Sequence, residues 1–156
     1  MAISPFRPTE EELREGVELG VDPRLPVAQF RVRLVARKRE QKRLAEIIET
    51  CNALGIFVDE SPTYRVMAPR LNAALRERLN SLGIRAGKTI WVHPDHKREC
   101  GNVSGGTTWQ VDKIVSRSVT GWVYLRATDV NNGVSGSFQA SFVVQHWGSL
   151  VTFATP

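Results

Sequence analysis

Three groups of residues in this 156-residue chain have types and spacings that bear on chemistry. The first is a run of cations. Arg31, Arg33, Arg37, Lys38, Arg39, Lys42 and Arg43 fall within thirteen residues that hold a single acid, Glu40. That window nets +6 against +5 for the whole chain, so the entire basic excess is concentrated there. Clustered Lys and Arg neutralise phosphates and release counterions, which produces salt-sensitive nucleic-acid binding. The competing reading is a solvated helix face, or a surface that pairs with the acidic head of its own or a neighbouring chain. That head, Met1–Asp22, carries Glu10, Glu11, Glu12, Glu15, Glu18 and Asp22 against Arg7 and Arg14, a net of −4.

The second group is His93-Pro-Asp95-His96-Lys-Arg-Glu-Cys100. His-x₂-His-x₃-Cys supplies three of the roughly four ligands zinc needs, and Cys51, His146 or Asp95 would have to be the fourth. No second close-spaced pair exists, so an ordinary polar loop is the better reading and no metal is expected. Ser104 beside His93, Asp95 and His96 does not make a triad, because triads are recognised by geometry. Gly101–Gly106 is Gly-rich but lacks the Lys and the following helix of a phosphate loop. No catalytic residue and no cofactor is assigned, and the chain is read as non-enzymatic.

The third group lies in Trp122–Ala127. On a strand, Val123, Leu125 and Ala127 share one face while Trp122, Tyr124 and Arg126 share the other. With the first set turned inward, the second makes an aromatic–basic strip of the kind that stacks bases or grips peptides. The alternative is that Trp122 and Tyr124 pack against the helical half.

The elements that must carry these groups follow from pattern. Thr9-Glu-Glu-Glu12 fits a capping box and opens a short helix that fails by Gly16 or Gly20. Asp22-Pro-Arg-Leu-Pro26 breaks the chain. Over Val27–Val35, Phe30, Val32 and Leu34 alternate with Arg31 and Arg33 as in a strand, yet Phe30 and Leu34 are also an i, i+4 pair. Beyond Ala36 the helix is clear, with Leu44, Ile47, Ile48, Cys51 and Leu54 on one face and Lys38, Arg39, Lys42 and Arg43 opposite. Arg37 falls near the apolar meridian, which implies that the first turns project beyond the core or meet a partner. The expectation is one long helix, roughly Ala28–Leu54, closed by Gly55. A second helix begins at Pro69, carries Leu71, Leu75, Leu79 and Leu82, and ends at Gly83. Ile56–Val58 and Tyr64–Met67 are expected to form a small hairpin between the two.

From Thr89 the chain reads as short strands at 89–92 and near 108–117, 121–128, 136–141 and 149–154. Gly105-Gly106, Thr120-Gly121 and Asn131-Asn132-Gly133 punctuate them as turns. A single 3₁₀ turn is expected over Phe142–Trp147. The pattern Trp91-x-Val, Trp122-Val-x-Leu, Phe138 and Trp147-x-x-Leu resembles small SH3-like barrels, including many in phage and mobile-element accessory proteins. The fold expected is therefore α+β: a helical N-terminal half with a long basic helix, followed by a five-stranded antiparallel SH3-like β-barrel. The divisions are an acidic arm 1–26, a helical region 27–86 and a barrel 87–156.

No apolar run approaches the roughly 18 residues of a membrane span, and no signal-peptide pattern opens the chain. Two cysteines, Cys51 and Cys100, are not a disulfide framework, which points to a reducing, cytoplasmic compartment. The leading functional expectation is a non-enzymatic accessory protein that binds nucleic acid or a ribonucleoprotein. Its contacts would come from Arg31, Arg33, Lys38, Arg39, Lys42 and Arg43, with Trp122, Tyr124 and Arg126 as a second surface. Behind it stand an assembly protein that oligomerises through acidic-arm to basic-helix contacts, and a small metal-dependent enzyme on His93, His96 and Cys100.

Overall fold

A computed structural model describes residues 7–93, 106–117 and 120–154. The architecture is α+β, with helices in the N-terminal half and a five-stranded antiparallel sheet after them. The chain divides into two compact units, residues 1–46 and 47–156.

In the first unit, α1 (Glu10–Leu19) starts at the expected capping box. The Glu12 amide donates to Thr9 Oγ1 at 3.1 Å and the Thr9 amide donates to Glu12 Oε1 at 2.9 Å. Gly16 does not end the helix. It is buried, and the space where a Cβ would sit is taken by the Phe30 ring, so glycine here permits close helix approach. The end comes at Gly20, whose φ of 72° closes the last turn. After the Pro23–Pro26 break, α2 (Val27–Leu54) begins with the Phe30 amide bonded to the Pro26 carbonyl. Helix wins over the strand pattern here because Phe30 and Leu34 lie on one helical face. They bury with Val21, while Leu13, Leu19 and Leu25 pack around them. Alternating strand geometry would have put Val32 on the buried side, and it is 70% exposed.

In the second unit, α2 ends as its sequence dictates. Gly55 takes φ 69° and the Ile56 amide reaches back to the Cys51 carbonyl at 2.8 Å. The hairpin expected over 56–67 is absent. Helix α3 runs Tyr64–Ser81, so Pro69 sits at its sixth position instead of opening it. Proline there removes one backbone bond, at a cost of up to about 3 kcal/mol. Burial of Met67 and Ala68 on the same stripe as Leu71, Leu75 and Leu79 offsets that cost. The loop before α3 is held by Arg70, which donates to the Phe57 carbonyl and to Asp59 Oδ1.

The strands are β1 (Thr89–Val92), β2 (Thr107–Ser116), β3 (Val123–Asp129), β4 (Ser135–Gln139) and β5 (Val151–Phe153). The order β4-β3-β2-β1-β5 is a meander whose last strand returns beside the first. The sheet is open, which corrects the closed barrel: among the described residues β4 forms a ladder only with β3, and β5 forms one only with β1, beside a single isolated bridge from Val151 to Trp147. Closure needs a ladder between the edges, and a three-residue β5 has little to offer one. Between β4 and β5 along the chain comes α4 (Ala140–Gln145), six residues of α-helix in place of the single 3₁₀ turn that the sequence suggests. It packs on β3 and β4, and α3 packs on α4 and β3, covering one face of the sheet. That face supplies Ile90, Val92, Trp109, Val111, Val123, Leu125, Ala127, Phe138 and Val151 to the core.

Candidate nucleic-acid interface

Helix α2 carries all six of its predicted contact residues, Arg31, Arg33, Lys38, Arg39, Lys42 and Arg43, within the first unit. Their electrostatic situations differ. Arg31 is committed to the acidic head: its Nε donates to Glu12 Oε2 at 3.0 Å and its Nη2 to Glu12 Oε1 at 3.3 Å. The side chains of this pair are only 27% and 22% exposed. The Arg31 bond first, and then the Thr9 amide, holds the Glu12 carboxyl below its ordinary 4.5. One carboxylate thus closes the capping box of α1 and fixes Arg31 of α2. Lys38 is paired with Glu15, one turn further along α1. Arg33 is exposed and adds its charge to those lowering the Asp22 carboxyl, behind the dominant Arg24 amide.

The head therefore neutralises part of the basic run within its own unit. The remainder is different in kind. Every residue from Val35 to Arg43 is exposed, nine in succession, so this stretch of α2 has no buried face at all. Arg37 pairs with Glu40 at 3.4 Å between two half-exposed side chains, a contact of the class worth little. Among the described residues no ion pair engages Arg39, Lys42 or Arg43. These three fall at i, i+3 and i+4, neighbouring positions on a helix surface. Like charges so placed repel one another, and a bound polyanion relieves the repulsion.

In the second unit, Val123, Leu125 and Ala127 are buried, while Trp122 and Tyr124 are half-buried and Arg126 is exposed. Trp122 precedes β3, and its carbonyl accepts from the Arg117 amide at 3.4 Å. The register adds a neighbour that pattern reading alone misses. A bulge between Val111 and Lys113 shifts β2, so that Lys113 stands directly opposite Arg126. Without that bulge the alternation along β2 does not pair these residues.

Of the metal-type residues, His93 is described, half-buried and edge-on to Trp91 with ring centroids 5.4 Å apart. Asp95, His96, Cys100 and Ser104 lie outside the described residues. Burial pushes the Cys51 thiol up, with only a weaker opposing effect from Arg70. Among the described residues no group of three or more His, Cys, Asp or Glu is arranged to hold a metal. No helix among them is long and apolar enough to cross a membrane. No family model, no curated protein and no solved structure matches this chain.

Proposed function

We propose that the protein is a non-enzymatic accessory protein that binds nucleic acid or a ribonucleoprotein through the exposed middle of α2. The observation that carries this reading is the fully exposed stretch Val35–Arg43 with Arg39, Lys42 and Arg43 outside any ion pair among the described residues. A stretch of helix without a core face is maintained by the packed segments that flank it, and its composition is then free to serve a partner. Three adjacent cations outside any ion pair among the described residues suit phosphate, whose spacing along a strand offers several anions at once. Arg31, Arg33 and Lys38, already engaged with acids of the head, are the lesser contributors.

An SH3-like ancestry for the sheet belongs to the same proposal. The order β4-β3-β2-β1-β5 and the helical turn between β4 and β5 support it. A protein of the cytoplasm is part of it too, as is membership of a phage or mobile-element accessory set. Assembly through the acidic head is a weaker reading, because Glu12 and Glu15 already pair with Arg31 and Lys38 of the same chain.

Size-exclusion chromatography with light scattering, at low and high salt and with and without a mixed nucleic-acid pool, tests the proposal. The expected result is a shift that needs nucleic acid and disappears at high salt. A salt-sensitive homo-oligomer indifferent to nucleic acid would instead favour assembly.

A further inference from the structure

The face of the sheet turned away from α3 and α4 is polar, and its register concentrates positive charge at one point. Lys113 on β2 and Arg126 on β3 are directly opposite each other, both exposed. Cross-strand neighbours of like charge on one face destabilise a sheet. Among the described residues neither is in an ion pair. The nearest acid along β2, Asp112, is the bulge residue; its carboxylate accepts from the Thr128 hydroxyl at 2.6 Å, and Lys113, Arg126 and Asp112 together keep one net positive charge. On the other side Arg126 faces Ser137 of β4, a hydroxyl that can donate to an anion. Two residues before Arg126 on the same face is Tyr124, half-buried and flanked by Val115 and Gln139. A tyrosine ring thus stands beside a pair of cations outside any ion pair, about 7 Å along the strand.

We infer that this face is a second nucleic-acid site, specific for single strands, in which Lys113 and Arg126 hold a phosphate and Tyr124 stacks the adjoining base. The inference rests on the reading of the chain as a nucleic-acid binder and assigns the sheet a substrate class of its own. Single strands fit where duplex does not, because a base must be free of its own stack to lie on the tyrosine ring. The charge pair supplies attraction, the ring supplies a sequence-tolerant platform, and Gln139 and Ser137 supply neutral donors beside it. The cost of holding Lys113 against Arg126 in the empty protein is returned when an anion sits between them.

The test uses the full chain and fluorescence anisotropy with a labelled oligothymidine, a labelled oligouridine and a duplex of matched length. The variants are Lys113→Gln/Arg126→Gln, Tyr124→Leu and Arg39→Gln/Lys42→Gln/Arg43→Gln. Tyr124→Leu is expected to weaken single-strand binding roughly tenfold, the loss of one stacked base. The Lys113/Arg126 variant should do at least as much and flatten the single-strand salt slope by about 0.7, the contribution of the one phosphate the pair neutralises. Duplex binding should be unchanged by both. Removing the like-charge pair should leave melting temperature equal or raised, so lost binding in that variant cannot be a folding defect. Sheet variants that bind single strands as the parent does, while the α2 variant weakens binding, would overturn this inference and leave the α2 reading intact. An α2 variant without effect, beside sheet variants that lose single strands, would overturn the α2 reading and support this one. Displacement of the oligonucleotides by polyglutamate at equal charge, with Tyr124→Leu inert, would mean an acidic peptide site and would also overturn it.

Discussion

Gly16→Ala places two opposing effects of known size in competition. At an ordinary helix position alanine gains about 1 kcal/mol over glycine. At Gly16 the added Cβ would lie 2.7 Å from Phe30 Cζ and 3.0 Å from Phe30 Cε2. Phe30 is fully buried, wedged with Val21 and Leu34, so the ring cannot swing aside without moving them. Overpacking of this kind costs about 1–3 kcal/mol, which outweighs the propensity gain. The net expectation is a loss of about 1 kcal/mol in the free energy that holds α1 on α2. Amide hydrogen exchange along α1 reads this local opening directly, and the expected acceleration is about fivefold. Combining Gly16→Ala with Phe30→Leu should recover part of the loss, giving a favourable coupling of about 0.5 kcal/mol or more. Slower exchange in Gly16→Ala, the outcome if propensity dominates, would refute the close packing of these helices. It would also refute the delivery of Glu12 and Glu15 to Arg31 and Lys38.

Gly121 has φ 81°, and a Cβ there would meet the Ala68 carbonyl oxygen at 2.9 Å and its Cα at 3.0 Å, both backbone. Gly121→Ala should cost about 2–4 kcal/mol, from left-handed strain plus overpacking, read from the urea midpoint; a change below about 0.5 would contradict it. Because the Glu12 carboxyl is held below 4.5, its contribution to α1 is complete above that pH. It fades as pH falls through 4.5 towards the lowered folded value. Helicity followed by circular dichroism downward from neutral pH should show this fading, and an acid profile unaltered by Glu12→Gln would contradict it. Cys51 is buried with its thiol pushed up, so in a Cys100→Ser chain thiol labelling should be slow until denaturant opens the second unit. Rapid labelling of the native chain would contradict that.

Much of this architecture is written locally in the chain. The Thr9–Glu12 capping box, the glycines that close α2 and α3, and the strand runs near 89–92 and 108–117 all depend on neighbours within a few positions. The features that escape pattern reading depend on distant partners. Pro69 argues for a helix start because its missing amide is cheapest there, and only the burial of Met67 and Ala68 shows why α3 begins five residues earlier. The turn after β4 is legible as a break, but its growth into α4 follows from the burial of Phe142 and Val143. The pairing of Lys113 with Arg126 hangs on one bulge, which alternation cannot locate. Conversely, the shared face of Val123, Leu125 and Ala127 follows from alternation alone, and their burial shows that this face is the inner one. Charge clustering places the basic run on α2, but which cations the acidic head engages depends on the packing of Gly16 against Phe30.

The most direct test of the α2 reading is the salt dependence of binding to a duplex of about 20 base pairs, from about 50 to about 200 mM salt. It compares the parent chain with Arg39→Gln/Lys42→Gln/Arg43→Gln. With three fewer phosphates neutralised, at about 0.9 each, the slope of log K against log salt should flatten by about 2.7 and binding at the lowest salt should weaken. A variant whose slope and affinity match those of the parent would contradict the assignment of nucleic-acid binding to the exposed middle of α2.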